Sequence, residues 1–450
     1  MSRRAPSRGQ DMLAFAAQLY PICRSISGAG VRHTLKLIRE RIPLRLHEVP
    51  SGTQAFDWQV PLEWNIDDAC VLDPHGQRVV DFKAHNLHIV SYSEPISMDL
   101  PLAELKTRLH AHASHPDWIP YRTSYYRRNW GFCLPRRQLD TLAEGRYGVR
   151  IASSLARGSL SYGEFVLPGR RREEVLLFTH ICHPSLANDN TSGMAVATAL
   201  AAWLAQTPRR YSYRLVFAPG TIGSLVWLKR NEKSLARIRY GLVLGLLGDS
   251  APLTYKCSRQ GQSEIDRLAP YALRGLDPGS RTLPFEPYGY DERQLCSPGF
   301  NLPIGRLTRS VNDGYPQYHS SGDDLGILSA ASLEQSLEAC QRIVQAIEDS
   351  RHYINVLPKG EPRLGKRGLY GTVGGQSPAA RELARLWVLN QSDGAHSLLG
   401  IAERSQLPID ELTTIAAELT AAKLLRLKAD PKPARGRSAV QSPRRSRAKR

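Results

Sequence analysis

The sequence predicts an α/β protein: a largely parallel sheet covered by helices on both faces, with an inserted β-rich domain and a C-terminal winged-helix domain. Three observations predict it. From 165 to 352, apolar runs of strand length alternate with helical patterns, as in a parallel sheet whose crossovers are helices. From 46 to 164 the texture changes to short β-like pieces separated by Pro, Gly and Asp. From 376 to 428, three short helical stretches follow one another, with a proline-marked turn before the third.

Residues 10–42 read as helical, with Val31, Leu35, Ile38 and Ile42 on one face, and 1–45 is assigned to the α/β domain. LRLHEVPSG, ACVLDPHGQRVVDF and LHIVSYSE are strand-like, and DPHGQR is a hairpin turn by composition. The stretch YRTSYYRRNWGF would suit base stacking on a nucleic acid. Aromatics are chiefly core material, however, and core is the preferred reading. In the α/β part EEVLLFTH, YSYRLVFAP and YGLVLGLLGD are strands. SGMAVATALAAWLAQ and TIGSLVWLKRNEK are the intervening helices, and Leu333, Leu337, Cys340, Val344 and Ile347 mark a closing amphipathic helix. Residues 353–375 read as a linker.

The formal charge is +18, but residues 429–450 hold eight Lys/Arg against one Asp. That tail has too little apolar surface to offset its ordering entropy, so disorder is expected, with loose, sequence-indifferent binding of acidic partners. The third helix of the winged-helix stretch opens PIDELTTIAAEL, with Asp410 and Glu411 where a DNA-reading helix needs donors. Sequence-specific DNA binding is therefore not expected, and docking or homo-oligomer formation is. Seven scattered cysteines without a CxxC pair fit a reducing, cytoplasmic setting. No apolar run approaches the roughly 20 residues of a membrane span.

The chemistry is concentrated in FTHICHPSLANDNTSG, residues 178–193. His180 closes an apolar strand, and ligands of such sheets gather at strand carboxyl ends. Asp189 precedes a helix, whose positive end favours an ionised carboxylate, although Asp189 would also serve as a simple cap. Asp249 ends the strand GLVLGLLGD, and His319 lies in the turn-rich YPQYHSSGDDL. Neutral imidazoles and carboxylates converging from several strand ends are what a divalent metal requires. Arg293 and Arg309 are candidates for clamping a substrate carboxylate or phosphate, and Tyr255 and Arg259 for lining the same mouth.

HICHPSLANDNTSG resembles the H-x-D…ANDNASG signature of the co-catalytic zinc aminopeptidases. YGYDERQLCSPGFNLPIG and YPQYHSSGDDL resemble later segments of a bacterial aminopeptidase-like branch labelled as polysaccharide-biosynthesis-associated. The resemblance spans about residues 10–428. It implies a phosphorylase/hydrolase-like α/β fold with an inserted β-rich domain and a C-terminal winged helix. It also implies one or two zinc ions and a small peptide or amide substrate. It would put His180, Asp189 and Asp249 on one zinc, with Asp189 bridging to a second held by His319, and His183 in reserve as a ligand. Two positions depart from the pattern. Cys182 replaces an aspartate that orients the first histidine, and Gly220, in FAPGTIGS, replaces the glutamate expected as base or ligand. Glu292 or Asp291 is then the candidate substitute base. The competing expectation is a catalytically degenerate binding or scaffold protein that recruits partners through the winged helix and tail.

Overall fold

The structure, a computed structural model, describes residues 7–369 and 380–428, and the chain divides into two units between Glu348 and Asp349. The larger unit is built on an eight-stranded sheet. Its strands are β1 (Arg45–Pro50), β2 (Ser159–Leu167), β3 (Glu174–His180), β4 (Ser212–Ala218), β5 (Ile238–Leu244), β6 (Thr254–Lys256), β7 (Arg281–Leu283) and β8 (Ile304–Thr308). Across the sheet they run β1-β2-β4-β3-β5-β8-β6-β7. The central four, β4, β3, β5 and β8, are mutually parallel, while β2 joins β4, and β6 joins β8, antiparallel. Every residue of β3 is buried, as only a strand covered on both faces allows.

The helices are α1 (Arg8–Leu19), α2 (Ala29–Arg41), α3 (Gly193–Ala205), α4 (Ile222–Asn231), α5 (Glu264–Leu273), α6 (Asp291–Leu295) and α7 (Ala330–Asp349). Helix α1 starts on a capping box in which Ser7 and Gln10 bond each other's backbone. Helix α3, GMAVATALAAWLA, is apolar round nearly its whole circumference and is correspondingly buried. Its N-terminus follows directly on the Asp189 segment, so the packing of one core helix fixes the position of that carboxylate.

Between β1 and β2 the chain leaves the main sheet and forms a four-stranded antiparallel one, ordered Arg78–Asp81, Glu63–Leu72, Arg146–Ala156 and Ile96–Pro101. The expected insert limits, 46 and 164, fall inside β1 and β2, which pair with each other in the main sheet. Strand-like texture does not tell which sheet a strand joins. Trp130 and Phe132 of the aromatic stretch are buried in core.

In the second unit, His352–Asn355 lies between Asp393–Ser397 and Leu425–Leu427 in a three-stranded antiparallel sheet, with helices Ala380–Gln391, Leu398–Ser405 and Ile409–Ala421. His352 was expected to end the α/β domain and 353–355 to open a linker; instead they form the central strand here. A lone four-residue strand carries no periodicity of its own. The basic tail and residues 370–379 lie outside the described residues. Among the described residues no helix is long and apolar enough to cross a membrane.

Candidate metal centre

His180 is the last residue of β3, and the chain turns through HPSLAND before entering α3, bringing His183 and Asp189 back over the strand end. The ligand atoms of His180, His183 and Asp189 lie within 4.8 Å of one another, all buried. His180 Nε2 is 2.7 Å, and His183 Nδ1 3.2 Å, from Asp189 Oδ1. His319 Nε2 stands 3.1 Å from the other oxygen, Oδ2. Two donors on one tetrahedral zinc, each about 2.0–2.1 Å from it, are about 3.3 Å apart, so these spacings fit a zinc ion with little adjustment.

The charge state fits as well. Burial pushes His180 down to about 4 despite its bond to Asp189, and burial lowers His319 too, so both rings are neutral donors near pH 7. Burial acts to raise Asp189, but the surrounding His183, His180 and His319 outweigh it and hold the carboxyl well below its usual range.

A second layer braces the ligands. Asp323 accepts from the backbone N–H of Asn188 at 2.6 Å and of Asp189 at 3.0 Å, and Tyr315 donates to it at 3.0 Å. Asn190 donates to Thr179 Oγ1 and to the His180 carbonyl, both at 2.9 Å. The fully buried Arg24 donates through Nε to the His183 carbonyl at 2.8 Å. Tyr121, from the insert, donates its backbone N–H to the His319 carbonyl at 2.8 Å. Its ring meets His183 and His319 edge-on at 5.3 and 5.1 Å. His319 takes φ +53°, a conformation unfavourable for a residue with a Cβ, and these insert contacts secure it there.

Opposite this group lies the Gly220 turn. A Cβ at 220 would fall 2.0 Å from the ring of Tyr290, so the tyrosine fills the space a longer side chain would need. The Tyr290 hydroxyl is 3.2 Å from both Cys182 Sγ and His183 Nε2, and its ring lies 4.1 Å from that of His180. The bond to His183 Nε2 leaves Nδ1 to face Asp189, the outer-partner arrangement typical of a ligating histidine. Thr221 adopts φ +61°, a strained state for a β-branched residue, and its N–H donates to Asp291 Oδ1 at 3.0 Å.

Other sequence-predicted residues lie elsewhere. Asp249 does not join the group: it accepts from the Asn188 amide at 2.6 Å and the Ala251 N–H at 2.8 Å, because the loop after β5 turns it toward Asn188. Glu292 is buried in an ion pair with Lys256 at 2.8 Å, with Arg306 3.7 Å away. Asp291 is fully buried, and that burial pushes its carboxyl up to about 7. Arg309 is no open clamp, since its guanidinium is spent on Ala251, Ser332, Gln335 and Ser336. Tyr255 is fully buried on Asp266. Arg259 reaches Asn301 at the surface, and Arg293 is exposed. Sequence reasoning missed Tyr290, Tyr121, Arg24 and Asp323. Tyr290, Tyr121 and Asp323 lie in stretches that stand out in sequence, YGYDERQ, YRTSYYRRNWGF and SSGDDL, but only the fold shows what each does at the site.

A mixed sheet with a buried imidazole–carboxylate cluster at the end of a parallel strand, followed by a winged helix, defines an aminopeptidase-like α/β protein. The chain belongs to the family described as a domain of unknown function, DUF4910, whose model matches residues 13–350; a winged helix-turn-helix model matches 351–427. A Clostridium acetobutylicum protein, provisionally named as a polysaccharide biosynthesis protein with an aminopeptidase-like domain, is 46% identical over 420 residues, covering 93% of this chain and 96% of its own. A crystal structure of a provisionally named peptidase from Clostridium acetobutylicum is similar at a TM-score of 0.88 and 44% identity, covering 93% of this chain and 96% of that one. The zinc aminopeptidase BSAP of Bacillus subtilis shares the fold, with a TM-score of 0.57 at 13% identity over 77% of this chain and 96% of its own.

Proposed function

We propose that the chain is a zinc-dependent aminopeptidase-like hydrolase that removes an N-terminal amino acid, or a similar amide-linked group, from a small peptide or biosynthetic intermediate. His180, His183 and Asp189 would hold one ion, with His319 on the second carboxylate oxygen of Asp189. The observation that carries this reading is the buried convergence of His180, His183 and Asp189, with the half-buried His319 on the second Asp189 oxygen. When bound, zinc lowers the pKa of water from about 15.7 toward about 7 and polarises a carbonyl. Asp189 supplies the fixed negative charge, and Tyr290 orients His183. Of the two carboxylates after Tyr290, Asp291 is the better proton acceptor, because Glu292 is neutralised by Lys256. The name of the Clostridium relative makes amide-bearing intermediates of polysaccharide synthesis a substrate class to include. The described cysteines are all unpaired, which supports a cytoplasmic location.

One observation favours a second reading. Tyr290 occupies the place of a side chain at 220, as in a site that grips a ligand without turning it over. The winged helix, with Asp410 and Glu411 opening its third helix, then serves for docking a partner or a second copy, and the basic tail for loose contact with acidic partners. The two readings separate in a screen of aminoacyl and peptidyl amides against zinc-loaded protein with an Asp189→Ala control. Chelator-sensitive cleavage supports the hydrolase; bound zinc without cleavage supports the binder.

A further inference from the structure

Lined in part by Tyr288 and Gly289 is a cavity of about 190 Å³ whose buried polar lining includes Lys256 and Arg306. Its lining is adjacent in sequence to the residue that packs on the metal cluster. Tyr288 and Gly289 line the cavity, and the next residue, Tyr290, packs on His180. The charge of Arg306 is also felt at His180.

The two cations of this cavity reach the same carboxylate, that of Glu292. Lys256 Nζ donates to the Tyr288 carbonyl at 2.7 Å and to Glu292 Oε1 at 2.8 Å. Arg306 donates through Nη2 to Asn312 at 2.7 Å, and its Nη1 stands 3.7 Å from that same Glu292 oxygen. Its Nε has no hydrogen-bond partner. Two buried cations thus share one buried carboxylate, and a buried charge without a full counter-charge is costly. The acid in the cavity lining, Glu286, is exposed. The arrangement depends on glycine at 289, where a Cβ would fall 2.0 Å from Glu292 Oε1 and 2.7 Å from Lys256 Nζ.

We propose that this cavity is a site for a small oxyanion, a carboxylate or phosphate. Guanidinium and ammonium groups suit such oxyanions through charge-assisted hydrogen bonds. Anion binding here stands independently of the hydrolase reading.

The test is calorimetric titration of chelator-stripped full-length protein with inorganic phosphate and, separately, with glutarate, so that anions on a metal do not contribute. Two exposed rim changes leave the core intact. Val311→Glu adds a carboxylate at the mouth and is expected to weaken binding about tenfold, whereas Glu286→Gln removes one and is expected to tighten it severalfold. Binding of phosphate alone, or of glutarate alone, supports the site and identifies the oxyanion it takes. Binding of neither at millimolar concentration, or binding indifferent to both rim changes, overturns the proposal. Anion binding that responds to the rim changes, in a protein that cleaves no amide once zinc-loaded, sinks the hydrolase reading and leaves the anion site standing.

Discussion

The two walls of the cleft are built differently. On the ligand side each residue is braced by a neighbour: Asn190 on the His180 strand end, Arg24 behind His183, Asp323 under Asp189 and Tyr121 against His319. On the facing wall, Gly220 has no side chain, Tyr290 occupies the space, and the nearest carboxylates are buried or paired. The difference teaches that gripping a metal and using it are separable tasks with separate supports.

That contrast breaks most visibly at Asp189. Asp189→Ala removes the carboxylate shared by three histidines, and zinc content measured by mass spectrometry is expected to fall to background. On the facing wall, Asp291→Asn is expected to lower kcat for any cleaved amide by about 10²–10⁴-fold with little change in zinc content; an equal loss of zinc would merge the two walls into one. Tyr290→Phe keeps the ring but frees His183 Nε2, and zinc affinity in competition titrations is expected to drop about 10-fold, the low end for an outer partner. Gly220→Glu drives a side chain into the Tyr290 ring and is expected to cost about 1–3 kcal/mol in denaturant unfolding, with the loss recovered when Tyr290→Ala is added.

The smallest effect is pH-dependent. Asp291 is raised in the folded state to about 7 from an ordinary 3.8, so the folded protein binds the extra proton between those values. Its contribution to stability is therefore full below about pH 4 and lost as pH rises through 7. Metal-free Asp291→Asn protein is expected to lose less stability between pH 6 and pH 8.5 than the parent, by on the order of 1 kcal/mol in thermal or urea unfolding.

The sequence made the ligand wall legible because its chemistry is local: His180, His183 and Asp189 lie within ten residues, between an apolar strand and an apolar helix. The facing wall is tertiary. Gly220 and Tyr290 are seventy residues apart, and nothing in FAPGTIGS or YGYDERQ tells that one fills the space left by the other. Asp249 looked like a ligand because it follows an apolar strand, but its direction is set by a loop whose conformation no periodicity encodes. Arg309 and Tyr255 looked available because charge and aromaticity are visible in sequence and burial is not. Three of the four parallel central strands, β3, β4 and β5, were readable as largely apolar runs, whereas the short β8, with Arg306 in its middle, was not. The antiparallel margin β1–β2 was not, since these strands adjoin the β-rich insert and share its short, strand-like texture.

The most direct test of the central claim is the metal content of the purified full-length protein, beside Asp189→Ala. About one zinc per chain, removed by chelator and missing from the variant, is the predicted result. A parent that retains no zinc after loading, or a variant that binds as much as the parent, would contradict the account.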